Sequence, residues 1–425
     1  MTRASLRVGV LGAGTVGTEV IRGLLDRGDS LGAEGCRFEV TGIAVRDVDG
    51  ARRRGLPDAL LTDAPAHLVA SPDTDVIVEL MGGAEPAQTL IAAALAAGKP
   101  VVTANKQVVA HRGAELERIS RRTGAALRLE AAVGGGIPVL RPLAEDLAAN
   151  DVRRVRGIVN GTTNYILTEM AAGRGTYDEV LRGAQERGYA EADPSGDVEG
   201  RDAVNKLVIL VRLAFGGWLD PTRVADRPPR SRGRGQPGIT GVTSDAIDGA
   251  AALGLKIRLI ATAQQLHETA DRSSIAAGVI PTAVPAESSF GRTDGVTNRI
   301  EIDAAPVGRV GFDGPGAGGK ATASAVLGDL IAISRGQGST WAGLAPMSTT
   351  RVDAVDPLRR AVRQWFLFVP AANARRGDVV GKDVIESTAR VAAGLAIRTC
   401  PLTLADLRSG LDPSAGDVPI YPIDD

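Results

Sequence analysis

Cysteine is almost missing from this chain. Cys36 and Cys400 are the only two in 425 residues. They cannot build a disulfide framework, so the reading is a reducing compartment, the cytoplasm. Histidine is nearly as scarce. His67, His111 and His267 lie far apart with no metal-ligand spacing, which excludes a His-based zinc site. No apolar run reaches the roughly 20 residues of a membrane span. The opening "MTRASLRVGVLGAG" enters a strand and a Gly-rich turn at once, so it is not read as a signal peptide. Neither sign of charge dominates: Lys plus Arg total 49 and Asp plus Glu 50. That balance argues against a dedicated nucleic-acid or membrane-surface binder.

Apolar residues are plentiful. At 44% of 425 residues they support two or three globular domains. Short apolar runs of strand length, "LRVGVL" (6–11), "FEVTGIAV" (38–45), "DVIVEL" (75–80), "PVVTA" (100–104) and "ALRLEAA" (126–132), alternate with helical patterns. One helix, "PAQTLIAAALAAG", starts at a proline and ends at Gly98, and another covers 107–122. Such alternation predicts a Rossmann-type, doubly wound parallel sheet over residues 1–150. Past 150 the rhythm changes. A strand at "VRRVRGIVN" precedes helical segments near 162–172, 176–187 and 200–215, with strand-like runs at 256–264, 274–281, 297–303 and 307–312. That predicts an α+β domain over 151–314. The segment 221–242, with "RPPRSRGRGQPG", reads as a solvated loop. A helix over 319–334 follows "GPGAGG", and residues 341–425 form a third, C-terminal region.

Gly12, Gly14 and Gly17 form G-x-G-x-x-G between the first strand and the first helix, the context a dinucleotide fingerprint requires. Gly12 permits the tight turn, Gly14 lets backbone approach a pyrophosphate, and Gly17 lets the helix pack on the strand. The amides of Ala13, Thr15 and Val16 face the ligand at the helix N-terminus. The second strand should end on the residue that selects the ribose. Here it reads Val45-Arg46-Asp47. Arg46 can pair with a 2′-phosphate and Asp47 leaves NAD open, so the reading favours NADP(H). Arg52–Arg54 also fit a plain solvated face.

Two lysines are placed unusually. Lys106 follows "PVVTA" and should lie at the carboxyl edge of the sheet, where open α/β sheets bind ligands. Lys206 sits on an apolar helix with Asp202 one turn earlier, on the same face. Each, taken singly, also fits an ion pair at a helix end. Together beside a nicotinamide, like charge and desolvation would ease proton exchange with a substrate hydroxyl. An acidic run, Glu191, Asp193, Asp197, Glu199 and Asp202, suits an α-ammonium group. Alternatively, Asp197 caps the following helix. In "EAAVGGGIP" (130–138) the glycines free carbonyls to curl round an ion and Pro138 opens the next helix, or the stretch is a plain strand-to-helix turn.

The stretches "GVLGAGTVG", "VELMGGAEPA", "KPVVTANK", "EAAVGGGIPVL", "GIVNGTTNYIL", "GYAEADPSGDVEGRDAVNKLVIL" and "GPGAGGKATASAVLGDL" run in order over residues 6–335. On them the chain resembles homoserine dehydrogenases. The resemblance implies reversible NAD(P)H-dependent reduction of L-aspartate 4-semialdehyde to L-homoserine. It implies Lys206 as the proton donor and Lys106 as a second catalytic lysine touching cofactor and substrate. Glu191 and Asp202 would hold homoserine, with Asp197 nearby. Gly82, Gly188 and the Gly316–Gly318 loop would join Ala13, Thr15 and Val16 as cofactor contacts. Glu130, with the carbonyls of Val133, Gly135 and Ile137, would hold a monovalent cation, usually sodium. It also implies a homodimer formed through 151–314, and a cofactor domain completed by 315–340. Many members carry a regulatory ACT domain where 341–425 lies. Here "QWFLFVPAANARRGDVV" fits a degenerate first strand and loop, and the resemblance leaves threonine inhibition open. A semialdehyde dehydrogenase with a cysteine nucleophile is excluded by the settings of Cys36 and Cys400. A lactate- or malate-type enzyme lacks its histidine base. A cofactor-binding sensor without catalysis would not keep both lysines in full motifs.

Overall fold

A computed structural model describes residues 5–31, 36–269, 272–346, 354–358, 361–374 and 379–424. Residues 375–378, inside the stretch expected as a degenerate regulatory loop, lie outside this set, as do 347–353 of the same region. The chain clusters into two compact units. The first is Met1–Asp151, Val208–Trp218 and Gly314–Arg351; the second is Val152–Leu207, Leu219–Asp313 and Val352–Asp425.

The first unit begins with β1 (Ser5–Leu11), α1 (Thr15–Leu31), β2 (Arg37–Ala44), α2 (Val48–Arg53), β3 (Leu61–Thr62) and α3 (Pro65–Ala70). It continues with β4 (Val76–Glu79), α4 (Ala87–Ala96), β5 (Val101–Thr103), α5 (Lys106–Thr123) and β6 (Leu127–Arg128). The strands form one parallel sheet in the order β3-β2-β1-β4-β5-β6. The order reverses between β1 and β4, which is where an open sheet of this kind leaves a crevice. Val8, Val10, Val76, Val78 and Val102 are fully buried and pack with Val20, Ile21 and Leu24 of α1. These runs are apolar throughout because helices cover both faces.

The seven-residue strand expected at 126–132 stops after Arg128, and Glu130–Ala132 forms a 3-10 turn. The cause is local. The buried Glu130 carboxylate accepts the amides of Val139, Leu140 and Arg141, at 2.7, 2.8 and 2.9 Å, so the chain must fold back on itself there. The helical turn then starts at Leu140, two residues after Pro138.

The second unit contains β7 (Asp151–Ile158), α6 (Gly161–Ala171), α7 (Tyr177–Glu186), α8 (Ser195–Val198) and α9 (Arg201–Phe215), whose residues from Val208 onward cluster with the first unit. Then come α10 (Ser244–Ala252), β8 (Leu255–Thr269), β9 (Arg272–Pro285), β10 (Thr297–Ala305) and β11 (Gly308–Pro315). The α11 helix (Gly319–Ser334) belongs to the first unit, and β12 (Ala354–Val355) to the second. Strands β11-β10-β7-β8-β9-β12 form one sheet, in which β7–β8 and β8–β9 are antiparallel. β8 and β9 are far longer than the runs expected at 256–264 and 274–281, because they pair as one hairpin from Leu255↔Pro285 outward.

The tail adds β13 (Trp365–Pro370), α12 (Ala371–Ala374), β14 (Ile385–Val391), β15 (Gly394–Thr399), α13 (Leu404–Ser409) and β16 (Ile420–Pro422). Its antiparallel sheet runs β14-β15-β13-β16, so the chain order is β-α-β-β-α-β. Trp365, Leu367, Val369 and Ile420 are fully buried in its core. The loop 221–242 is not the freely solvated segment its composition suggests. Ala225 pairs with Gly278, Pro228, Pro229 and Ile239 are buried, and Arg230 binds the Asp417 carboxylate at 2.6 Å. Arg230, Arg232 and Arg234 find partners in the tail, a contact invisible to local pattern.

Candidate active site

The first unit gathers its glycine turns along the carboxyl edge of the parallel sheet. Gly12 has φ +98°, and a Cβ there would lie 2.7 Å from the Leu80 carbonyl oxygen. A Cβ on Gly17 would sit 2.1 Å from the Gly12 carbonyl oxygen, so α1 can approach β1 only without a side chain. Gly14 differs: a Cβ there meets nothing within 4 Å, which leaves its outer side open for a ligand. The first amide to close back on the turn is Thr18, onto the Gly14 carbonyl at 2.9 Å. The amides of Thr15 and Val16 thus stand at the open N-terminus of α1, where the helix dipole favours an anion. Ala13 is buried and takes the Thr18 hydroxyl on its carbonyl.

Other predicted positions join this edge. Gly82 and Gly83 both have φ +73° and follow β4 directly. Asn105 caps α5 by accepting the Val108 amide, and its own amide group donates to the Gly83 carbonyl at 2.8 Å. Lys106, half-buried, is the first residue of α5. Gly318 (φ +107°) precedes α11, and a Cβ on Gly319 would lie 2.9 Å from the Thr15 carbonyl oxygen. Gly316 packs against Gly135, whose Cβ would fall 2.6 Å from Gly316 backbone, and the Gly136 amide donates to the Pro315 carbonyl. The phosphate turn, the Gly82 turn, the Lys106 helix start, the Gly316–Gly318 loop and the 130–137 loop therefore form one continuous cluster.

At the end of β2, Asp47 is engaged as the cap of α2, accepting the Gly50 amide at 2.8 Å. Arg46 is exposed, and Arg52 is tied to Asp49 and Asp58. In the 130–137 loop, Glu130 is 8% exposed, and burial and then Asp329 push its carboxyl above the usual range. Asp329 accepts the Glu130 amide and the Arg128 guanidinium, each within 2.9 Å.

In the second unit Lys206 is 8% exposed. Its ammonium donates to the Val159 carbonyl at 2.6 Å and to Asp202 Oδ2 at 2.7 Å. Two of three N–H directions are fixed, which aims the third. Asn160 completes the group. Its amide donates to Asp197 at 2.7 Å and to Asp202 at 2.9 Å, while its oxygen accepts the Thr163 amide at the start of α6. Asp197 lies inside the short α8 and binds Asn160, so it does not cap the following helix as one reading expected. Glu191 is exposed, with its carbonyl held by Gln185, and Gly188 (φ +74°) ends α7 with open space on its Cβ side.

Three residues of these clusters were not singled out in the sequence: Glu79, Asn105 and Asn160. Each left a trace. Glu79 is the one acid of the apolar β4, and Asn105 and Asn160 each lie two residues past a strand, just before a helix, as N-caps do.

Comparison with known proteins points one way. A homoserine dehydrogenase family model matches residues 138–331, and a homoserine dehydrogenase NAD-binding domain model matches 12–130. Homoserine dehydrogenase of Synechocystis sp. is 41% identical over 368 residues, 86% of this chain and 79% of that protein. The Mycobacterium tuberculosis homologue is 43% identical over 330 residues, 77% and 72% of the two chains. The structure of a homoserine dehydrogenase from Thiobacillus denitrificans aligns with TM-score 0.85 at 31% identity, covering 99% of this chain and 98% of that one. A hyperthermophilic archaeal homoserine dehydrogenase solved with NADPH aligns with TM-score 0.65 at 25% identity over 78% of this chain and 98% of that one.

Proposed function

The chain belongs to the homoserine dehydrogenase family, and from that premise we propose how its residues divide the work. The reaction is the reversible, NAD(P)H-dependent reduction of L-aspartate 4-semialdehyde to L-homoserine. Held at the glycine turns, a nicotinamide cofactor would supply the hydride for the aldehyde carbon. The protein supplies orientation and a proton. Lys206 gives that proton to the carbonyl oxygen as the C–H bond forms and the C=O π pair moves onto oxygen. Lys106 orients cofactor and substrate. Asp202 and Glu191, with Asp197, hold the substrate ammonium, while the Asn160 amide keeps two of those carboxylates apart.

Gly12, Ala13, Gly14, Thr15, Val16 and Gly17 cradle the pyrophosphate, and Gly82, Gly188, Gly316 and Gly318 add cofactor contacts. Arg46 reads a 2′-phosphate, which makes NADP the preferred cofactor. The first unit is thus the cofactor domain, the second the catalytic and dimerisation domain, acting as a homodimer in the cytoplasm. Among the described residues no helix is long and apolar enough to cross a membrane. The β-α-β-β-α-β order of the tail supports reading it as a degenerate ACT-like module.

The 130–137 loop fits a monovalent cation. Glu130 and Asp329 are both buried, the Glu130 amide donates to the Asp329 carboxylate at 2.8 Å, and hard oxygens suit such an ion. Glu130 and the carbonyls of Val133, Gly135 and Ile137 would hold sodium, which would brace the Gly316 loop packed against Gly135.

The observation that carries the catalytic assignment is the buried Lys206 ammonium, anchored by Val159 and Asp202. A coupled assay with L-homoserine, NADP⁺ and NAD⁺, with and without sodium, tests it. Lys206→Ala should lower kcat by roughly 10²–10⁴ with NADPH affinity little changed. Unchanged turnover would remove Lys206 from the mechanism.

A further inference from the structure

We infer that Glu79 is a positioning residue that locks the Gly82–Gly83 cofactor turn to the helix start carrying Lys106. The inference rests on the reading of Gly82 and Lys106 as cofactor contacts. Glu79 is the last residue of β4 and is 0% exposed, beside Val76, Ile77 and Val78, which are equally buried. A carboxylate in such a strand is costly unless it is well paired, and its partners here are neutral donors. Burial pushes its carboxyl above the usual range despite them. Packing alone would be met by an apolar side chain, so the residue is explained by the donors it satisfies.

Its contacts do. Glu79 accepts the Thr103 hydroxyl at 2.6 Å, at the end of β5, and the Met81 amide at 2.8 Å, at the entry to the turn. The Thr103 hydroxyl in turn accepts the Asn105 amide at 3.0 Å. Asn105 caps α5 and donates to the Gly83 carbonyl, closing the ring at the far end of the turn. The turn is therefore held at Met81 by Glu79 and at Gly83 by Asn105, and both holds meet at Thr103. The phosphate turn rests on the same segment, since a Cβ on Gly12 would lie 2.9 Å from Met81 Cα. One buried carboxylate thereby sets the heights of two neighbouring loops and of the first residue of α5.

The test uses the full-length protein with NADPH as the probe. Glu79→Met keeps length and apolar fit but removes both acceptors. It should melt below the parent, because the Met81 amide and Thr103 hydroxyl lose their acceptor, and it should bind NADPH at least about 10-fold more weakly and turn over more slowly. Glu79→Gln keeps an acceptor and shape, and should stay within about 3-fold of the parent in both measures. In a Lys106→Ala background, Glu79→Met should cause little further loss of kcat, because residues acting through one another are not additive. Parent-like NADPH affinity and kcat in Glu79→Met would overturn the inference. So would full additivity with Lys106→Ala. If Glu79→Met does not fold, Thr103→Val decides: it removes the hydroxyl that joins Glu79 to the Asn105 amide, and a parent-like kcat there refutes the coupling. Lys106→Ala by itself checks the underlying reading. If it changes neither kcat nor NADPH affinity, that reading fails whatever Glu79 does.

Discussion

Asn160→Asp isolates what a single amide does for the acidic cluster. Asp caps a helix as well as Asn does, so the bonds from the Thr163 amide and hydroxyl, both at 2.9 Å, survive the exchange. What is lost is the NH₂ that donates to Asp197 and Asp202. Hydrogen bonds to charged groups contribute about 1.5–3 kcal/mol each, so two are worth about 3–6 kcal/mol. The substitution also sets a third carboxylate against two others. The folded protein can escape by protonating one of them, which at pH 7 costs about 4 kcal/mol, since each pH unit above the ordinary carboxylate value adds about 1.4. The new carboxyl O–H replaces only one of the two lost donors, so the loss should be about 6 kcal/mol at pH 7. The sign follows from the raised carboxyl: stability is fully present below the ordinary carboxylate range and drains away as pH rises. Urea unfolding at several pH values between 5 and 8 should show the variant's deficit shrinking by about 1.4 kcal/mol per unit as pH falls. The specificity constant for homoserine should fall as well, with NADPH affinity retained. Curves that overlay the parent at pH 7 would show that Asn160 does not organise the cluster.

Other expectations follow from single distances. Gly14→Ala should melt like the parent yet lose the stabilisation that NADPH confers, because its Cβ meets only open space. Gly17→Ala should lose both, since its Cβ would collide with the Gly12 carbonyl at 2.1 Å; differential scanning fluorimetry with and without NADPH separates the two. Arg46→Ala should weaken NADPH more than NADH, and equal losses by titration would show that another residue reads the ribose. Glu301 is buried, which works to raise its carboxyl, but Ser289, Arg299 and Arg156 hold it below the usual range. Its contribution is thus present above the unfolded value and lost as pH falls through the folded one. Glu301→Gln should lower stability at neutral pH and flatten the acid limb of a stability-against-pH curve.

Much of the cofactor edge was legible because its signals are local. A glycine with positive φ, a strand before it and a helix after it are all neighbours in sequence. Lys206 and Asp202 were legible for the same reason, one helical turn apart. The strand at 126–132 was misread because Glu130 seeks amides nine to eleven residues away, and an apolar run does not show where a carboxylate will find donors. The loop 221–242 was misread because its partners lie in the tail.

Sequence alone determined the alternation that builds the parallel sheet, the glycine turn at its switch point and the face shared by Asp202 and Lys206. All of these depend on backbone periodicity and on the steric freedom of glycine. Only the tertiary structure decided that Asn160 stands between Asp197 and Asp202, that Gly135 packs on Gly316, and that Glu79 joins β4 to β5. Those pairs are brought together by the burial of apolar faces. Which polar atoms then meet depends on how the elements pack, and no spacing along the chain encodes it.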